Sequence, residues 1–430
     1  MKYPIAFLLL PLVAACSQPG QQDQVGDSRH ALGSLQQVTD FGSNPAQLKM
    51  YMYVPADMPD EPRPLVVAMH GCSMTASAYT AAGWQNIADT LKVYVVYPEQ
   101  NSLTNNSLGC FNWGASWDGA PSTFVANAPL HLEDLQRGHA ENESIIEMVA
   151  YMNDNYTVDG NRVYATGISA GGGMTSVMLA TYPDVFAGGI IVAGIPYGCT
   201  IKASATTQDG FDCLKAQPES SDLNRTPQQW GDLVRAAYPG YDGPYPTVTI
   251  WQGGADYMVA PELRLELVEQ WTNVHGADTE PDVSENVLGA QHDVYNDPSG
   301  NPVVEVYYLP SASHTQPIDP SSSCGEVGPY ISDQGICAAG IAAQRYDLGA
   351  AAGDPSNPGG PNDPGNPGGP NNPGTPGDPN NPGDPNNPGN TDKPGRKTGV
   401  GCNAGIRDSD SGASVLLILL AIAIARRRFL

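Results

Sequence analysis

Gly167-Ile168-Ser169-Ala170-Gly171 is the stretch that decides the fold, because residues 162–166 (RVYAT) before it read as a buried strand and residues 174–182 after it read as a helix. In a strand-turn-helix corner the serine takes a strained conformation and its hydroxyl stands above the carboxyl edge of a sheet. Glycine on either side removes the side chains that would collide across so sharp a bend. The plainer reading, a Gly/Ser-rich turn ahead of an ordinary helix, fails to explain the partners that follow in the chain.

A serine hydroxyl is a poor nucleophile near neutral pH and needs a base to take its proton and an acid to orient that base. With this kind of elbow the acid and then the histidine follow the serine, each on a loop after a later strand. Residues 247–252 (TVTIWQ) are strand-like and run into Gly253-Gly254-Ala255-Asp256, so Asp256 is the candidate acid. Residues 303–309 (VVEVYYL) form another strand that ends in Pro310-Ser311-Ala312-Ser313-His314, which makes His314 the candidate base. His275 lies in a helical stretch. His292 is the rival, but it begins a hairpin arm turning at Asp297-Pro298-Ser299-Gly300 rather than following a strand. A tetrahedral oxyanion also needs two backbone donors. Ala170, next to the serine, supplies one. The other is assigned to Cys72, in His70-Gly71-Cys72-Ser73 after the strand-like run 65–69 (LVVAM), with His70 as a residue that shapes the loop.

These residues resemble the polyhydroxybutyrate-depolymerase-like esterases, which overlap with feruloyl and acetylxylan esterases of the α/β-hydrolase superfamily. The resemblance runs from about residue 65 to 348, through HGCSMTASAY at His70, GWQNIAD at Gly83, VVYPEQN at Val95, CFNW at Cys110 and RGHAENESI at Arg137. It continues through the elbow and GGGMTSVMLATYPDVFAG, PYGC at Pro196, QQWGDLVRAAYPGY at Gln228, the GGAD turn and SHTQPIDP. It implies Ser169 as nucleophile, Asp256 as acid, His314 as base, and Cys72 and Ala170 as oxyanion donors. The chain departs from the family at Gln252-Gly253, where histidine-glycine is usual, and at Ser311-Ala312-Ser313, where glycine-rich sequence is usual. Neither change removes a catalytic group, and both loops border the expected pocket.

The ends read as export and anchoring signals. Lys2, an apolar run at 5–15 and Cys16 preceded by Val13-Ala14-Ala15 resemble a bacterial lipoprotein signal, with Cys16 as the lipidated residue. Expected boundaries are a signal peptide at 1–15, a tether at 16–33, a catalytic domain at 34–350, a Pro/Gly/Asn-rich linker at 351–399 and a C-terminal sorting or membrane-anchor tail at 400–430. The linker has almost no apolar side chains and cannot build a core. The tail, with Gly401-Cys402, an apolar run at 413–425 and three arginines at 426–428, resembles sorting tails of bacterial surface proteins. Of the eight cysteines, six fall within the domain. Six thiols allow about fifteen pairings, which sequence alone leaves open. Spacing suggests Cys199 with Cys213 and Cys324 with Cys337, leaving Cys72 with Cys110 beside the oxyanion loop.

A formal charge of −25, from 45 acidic against 20 basic residues, argues against nucleic acid as a partner. No C-x-x-C or H-E-x-x-H string occurs, so no metal is expected, and the chemistry calls for no cofactor. Strands at about 48–54, 64–69, 93–97, 162–167, 187–193, 247–252 and 303–309 alternate with helical stretches such as 141–155 and 261–274. That alternation predicts an α/β fold of the α/β-hydrolase kind, a mostly parallel sheet with helices on both faces. The expected function is a secreted or surface-anchored serine ester hydrolase. Its partners would be a polymeric ester substrate, read first as a polyhydroxyalkanoate, and the membrane, reached through the N-terminal lipid and the C-terminal tail. A feruloyl or acetylxylan esterase is the alternative, and a non-catalytic surface binding protein the third reading. Trp113, Trp117, Tyr257 and Tyr308 are candidates to line an acyl or phenolic pocket, or else core residues.

Overall fold

In the computed structural model the described residues are 33–100, 108–117, 127–216 and 224–350. The expected signal peptide, Cys16, the linker, Cys402 and the tail lie outside them. Ten strands make one sheet: β1 Gln36–Val38, β2 Lys49–Tyr53, β3 Arg63–Met69, β4 Tyr94–Glu99, β5 Val158–Ile168, β6 Gly188–Val192, β7 Thr247–Gly253, β8 Val283–Val287, β9 Ala290–Asn296 and β10 Pro302–Leu309. Their order across the sheet is β1-β2-β4-β3-β5-β6-β7-β10-β9-β8. The run from β4 to β10 is parallel throughout, and both margins are antiparallel. The sheet is the mostly parallel one expected, enlarged at its edges.

Strand alternation sorts the core into two. Leu65, Val67 and Met69 of β3 join Val163 and Ala165 of β5 and Val248 and Ile250 of β7 on one face. That face is covered by α2 (Ala140–Asn155), α3 (Ala170–Thr181), α4 (Pro227–Ala237) and α5 (Leu263–His275), contributing Met148, Val177, Val234 and Leu267. Val66, Ala68, Tyr164, Ile190 and Trp251 point the other way, against Trp84 and Ala88 of α1 (Trp84–Leu91) and Ala338 and Ala342 of α6 (Ala338–Arg345). Period-two alternation in strands buried on both faces leaves near-continuous apolar runs, which is why these strands were visible in sequence.

The helix after the elbow starts earlier than its apolar pattern suggests. It begins at Ala170 rather than near 174, and every one of its residues is buried. Three consecutive glycines cost a helix roughly 1 kcal/mol each relative to alanine. Here a Cβ on Gly171 would lie 2.1 Å from the Met69 carbonyl oxygen, and one on Gly172 would lie 2.7 Å from that of Val192. The helix therefore sits closer to the sheet than any side chain permits, and the propensity cost is outweighed by this contact. β8, a polar edge strand (VSENV) exposed along almost its whole length, carries no apolar period and so has no signal in the sequence.

Candidate active site

Ser169 occupies the turn between β5 and α3 with φ +59° and ψ −121°, a conformation that non-glycine residues rarely adopt. Its N–H donates to the Val192 carbonyl at the end of β6 at 2.9 Å and its carbonyl accepts the Gly173 N–H at 2.8 Å, so β6 and α3 hold the strained residue. A Cβ on Gly167 would stand 2.4 Å from the Gly171 backbone. That closeness is the physical reason for glycine on both sides of the serine.

Asp256 sits three residues beyond β7 and His314 five beyond β10, the adjacent parallel strand. The two loops are joined directly: Gly254 N–H donates to Leu309 O at 2.8 Å and Ala255 N–H to Ala312 O at 2.9 Å. A side chain at Gly253 would strike the Ala312 carbonyl at 2.4 Å. His314 Nδ1 lies 2.8 Å from Asp256 Oδ2, both groups being buried. A carboxylate can only accept, so Nδ1 carries the proton and Nε2 is left with a free lone pair. Asp256 is fully used: Oδ1 accepts the Met258 and Val259 N–H groups at 2.8 and 2.9 Å, and Oδ2 also accepts Gln252 Nε2 at 3.2 Å. Gln252, a departure from the family pattern, thus donates to the Asp256 carboxylate itself.

The rival imidazoles are committed elsewhere. His292 lies on β9 between Glu285 at 3.3 Å and Glu305 at 3.1 Å, stacked on Tyr307 at 4.2 Å. His275 Nε2 is 3.0 Å from the Pro246 carbonyl, and burial lowers its pKa to about 4. His70 Nδ1–H bonds the Gly71 carbonyl at 2.7 Å while Nε2 accepts the Gln100 N–H at 3.1 Å. Burial holds this ring below its usual pKa range, consistent with a neutral residue that shapes the loop.

Among the described residues neither the Cys72 nor the Ala170 N–H has an acceptor. Ala170 N–H is one of the unspent donors at a helix N-terminus, where the helix dipole favours negative charge. Cys72 is held by its disulfide to Cys110, and the next residue's N–H bonds Leu108 O at 2.8 Å. Behind that bridge Glu141, which lies in the RGHAENESI stretch, accepts Gln100 Nε2 at 2.5 Å and the Asn112 N–H at 2.8 Å. A buried carboxylate among amide donors has no period and no spacing signal, so only the fold reveals it.

The second disulfide, Cys199–Cys213, closes a segment whose next two residues hold the turn that follows Asp256. Ala260 N–H donates to Leu214 O at 2.9 Å, and Lys215 Nζ donates to the Tyr257 and Met258 carbonyls at 2.6 and 2.9 Å. The third, Cys324–Cys337, closes the segment after His314. Of the aromatic candidates, Tyr257 is 56% exposed beside Asp256, and Trp113 packs on the first turn of α3, where a Gly173 Cβ would meet it at 2.7 Å. Tyr308 lies under the Arg264 guanidinium at 4.3 Å. Trp117 falls in a short strand, Ser116–Trp117. Among the described residues no group of three or more His, Cys, Asp or Glu side chains is arranged to hold a metal, and no helix is long and apolar enough to cross a membrane.

Known proteins similar to this chain are esterases and a depolymerase. Residues 48–220 match the family model described as esterase PHB depolymerase. The chain is 44% identical over 324 residues to poly(3-hydroxyalkanoate) depolymerase C of Paucimonas lemoignei, covering 75% of this chain and 72% of that one. It is 36% identical to feruloyl esterase B of Neurospora crassa, over 61% of this chain and 80% of the relative. The solved acetyl xylan esterase from Aspergillus awamori superposes with a TM-score of 0.55 at 28% identity, covering 67% of this chain and 97% of that structure.

Proposed function

We propose, from the premise that this chain belongs to the PHB-depolymerase esterase family and is a carboxylic ester hydrolase, that it cleaves an extracellular polyester of hydroxyalkanoate units. The observation that carries the substrate class is the 44% identity across 72% of a named poly(3-hydroxyalkanoate) depolymerase. Ser169 is the nucleophile. His314 Nε2 takes the Oγ proton as the oxygen attacks the ester carbonyl, and Asp256 keeps the imidazole in the tautomer that can do so. The Cys72 and Ala170 N–H groups receive the oxyanion. The imidazolium then returns its proton to the leaving alkoxide. A water, deprotonated by the same imidazole, releases the acyl group from Ser169.

Three disulfides beside the reacting loops fit an oxidising compartment, and with the lipoprotein-like start and arginine-ended tail they support an enzyme held outside the cytoplasmic membrane. Identity to a feruloyl esterase over 80% of its length favours a second reading, an esterase on feruloylated or acetylated polysaccharide. Exported protein should be assayed side by side on polyhydroxybutyrate film, feruloylated arabinoxylan and acetylated xylan, with Ser169→Ala as the blank. Release of hydroxyacids from the film by wild type alone is the expected result. Faster release of ferulate or acetate would transfer the assignment to the polysaccharide esters.

A further inference from the structure

Residues 328–331 form a tight turn closed by two backbone bonds, Gly328 N–H to Ile331 O and Ile331 N–H to Gly328 O, both 3.0 Å. Pro329 fixes φ near about −65° at the first central position. Tyr330, at the second, has φ +57°. These are the φ signs of a type II turn, in which the second central residue is ordinarily glycine because a Cβ is crowded there. A bulky aromatic is therefore held where the backbone prefers no side chain. Strain of this kind persists only when surrounding structure enforces it, and it clusters at functional sites.

What the strained residue presents is a ring against His314. The centroids are 5.9 Å apart and the planes meet at 74°, an edge-to-face contact. Two further ties fix the ring relative to the histidine. The Tyr330 carbonyl accepts the N–H of Gln316, two residues beyond His314, at 2.8 Å, and the Cys324–Cys337 bridge closes the segment that carries the turn. Among the described residues the phenol makes no side-chain hydrogen bond, so the ring rather than the hydroxyl is what the position supplies. The bond from Nδ1 to Asp256 holds one edge of the imidazole, and a pivot of the ring about that bond would move Nε2.

We propose that Tyr330 is a positioning residue for His314: its ring blocks that pivot and keeps Nε2 directed at the serine. The inference rests on His314 being the base. Tyr330→Phe, Tyr330→Ala and Tyr330→Gly should be compared in the full-length exported protein on p-nitrophenyl butyrate, with His314→Ala alongside. Phenylalanine should retain near wild-type turnover. Alanine and glycine should each lower kcat by about 10–100-fold with KM little changed, as expected when a reacting group is misplaced while substrate binding is left intact. Glycine should melt at a higher temperature than alanine, because it relieves the left-handed strain while lacking the same ring. The proposal is overturned by wild-type kcat in the alanine or glycine variant, by an effect confined to KM, by a phenylalanine variant as impaired as alanine, or by equal melting of alanine and glycine. Turnover retained in His314→Ala would refute the base assignment itself. An inactive His314→Ala beside a fully active Tyr330→Ala would refute only the role of Tyr330.

Discussion

Gly171→Ala is the smallest change that tests how the elbow is built. A Cβ there would lie 2.1 Å from the Met69 carbonyl oxygen, 2.6 Å from that of His70 and 2.7 Å from the Met69 carbonyl carbon. All three are backbone atoms, so no side chain can swing aside. Opening the shortest contact even to 3.0 Å, a separation below which real Cβ contacts are essentially not seen, requires α3 and the end of β3 to part by 0.9 Å. The displaced residues lead directly into Cys72, so the separation between Ser169 and the proposed Cys72 donor grows by a similar amount. Overpacking of this size destabilises by about 1–3 kcal/mol. For a domain of this scale that lowers Tm by roughly 2–10 °C. Misplacement near 1 Å lowers kcat by about 10²-fold, equivalent to ~2.7 kcal/mol of transition-state stabilisation. Turnover of p-nitrophenyl butyrate and thermal melting of the same preparation read both effects. Gly160→Ala is the control, since a Cβ on that β5 residue meets nothing within 4 Å. It should change stability by less than about 0.5 kcal/mol. Wild-type kcat and Tm in Gly171→Ala would refute the argument that close backbone approach, rather than chance composition, keeps glycine at the elbow.

Two other expectations follow from the side-chain geometry. His314→Ala should lose several orders of magnitude in kcat, whereas His292→Ala, which removes a ring held between Glu285 and Glu305, should keep most of the activity and lose stability instead; kinetics and melting of both variants decide, and the opposite pattern would make His292 the base. Glu266 is raised from 4.5 to about 7 by burial, against the opposing hydrogen bond from Trp230 Nε1 at 2.6 Å. The folded protein therefore retains a proton that the unfolded chain releases across that window, and this group's contribution to stability falls as pH rises through it. Glu266→Gln should flatten the decline of Tm between those pH values, and an unchanged slope would show that the carboxyl titrates normally.

The chain order of elbow, acid and histidine was legible because each follows an apolar, β-branched run, and those runs are strands buried on both faces of the sheet. Gly167 and Gly171 were legible for a related reason, since the crowding that demands them is a property of the strand-turn-helix corner itself. The sequence by itself therefore determined the parallel core, the place of Ser169 at its carboxyl edge, and a short roster of acids and bases. Only the tertiary structure decided which histidine meets Asp256, a contact 58 residues apart in the chain and made possible by β7 and β10 lying side by side. The same holds for the pairing of Cys72 with Cys110, the buried carboxylate of Glu141 behind that bridge, and the ring of Tyr330 against His314. These are single contacts between segments remote in sequence. A polar edge strand such as β8, or a tyrosine forced into a turn suited to glycine, has no repeating pattern to announce it, because periodicity records which face of an element is buried and not which side chain from another element lies against it.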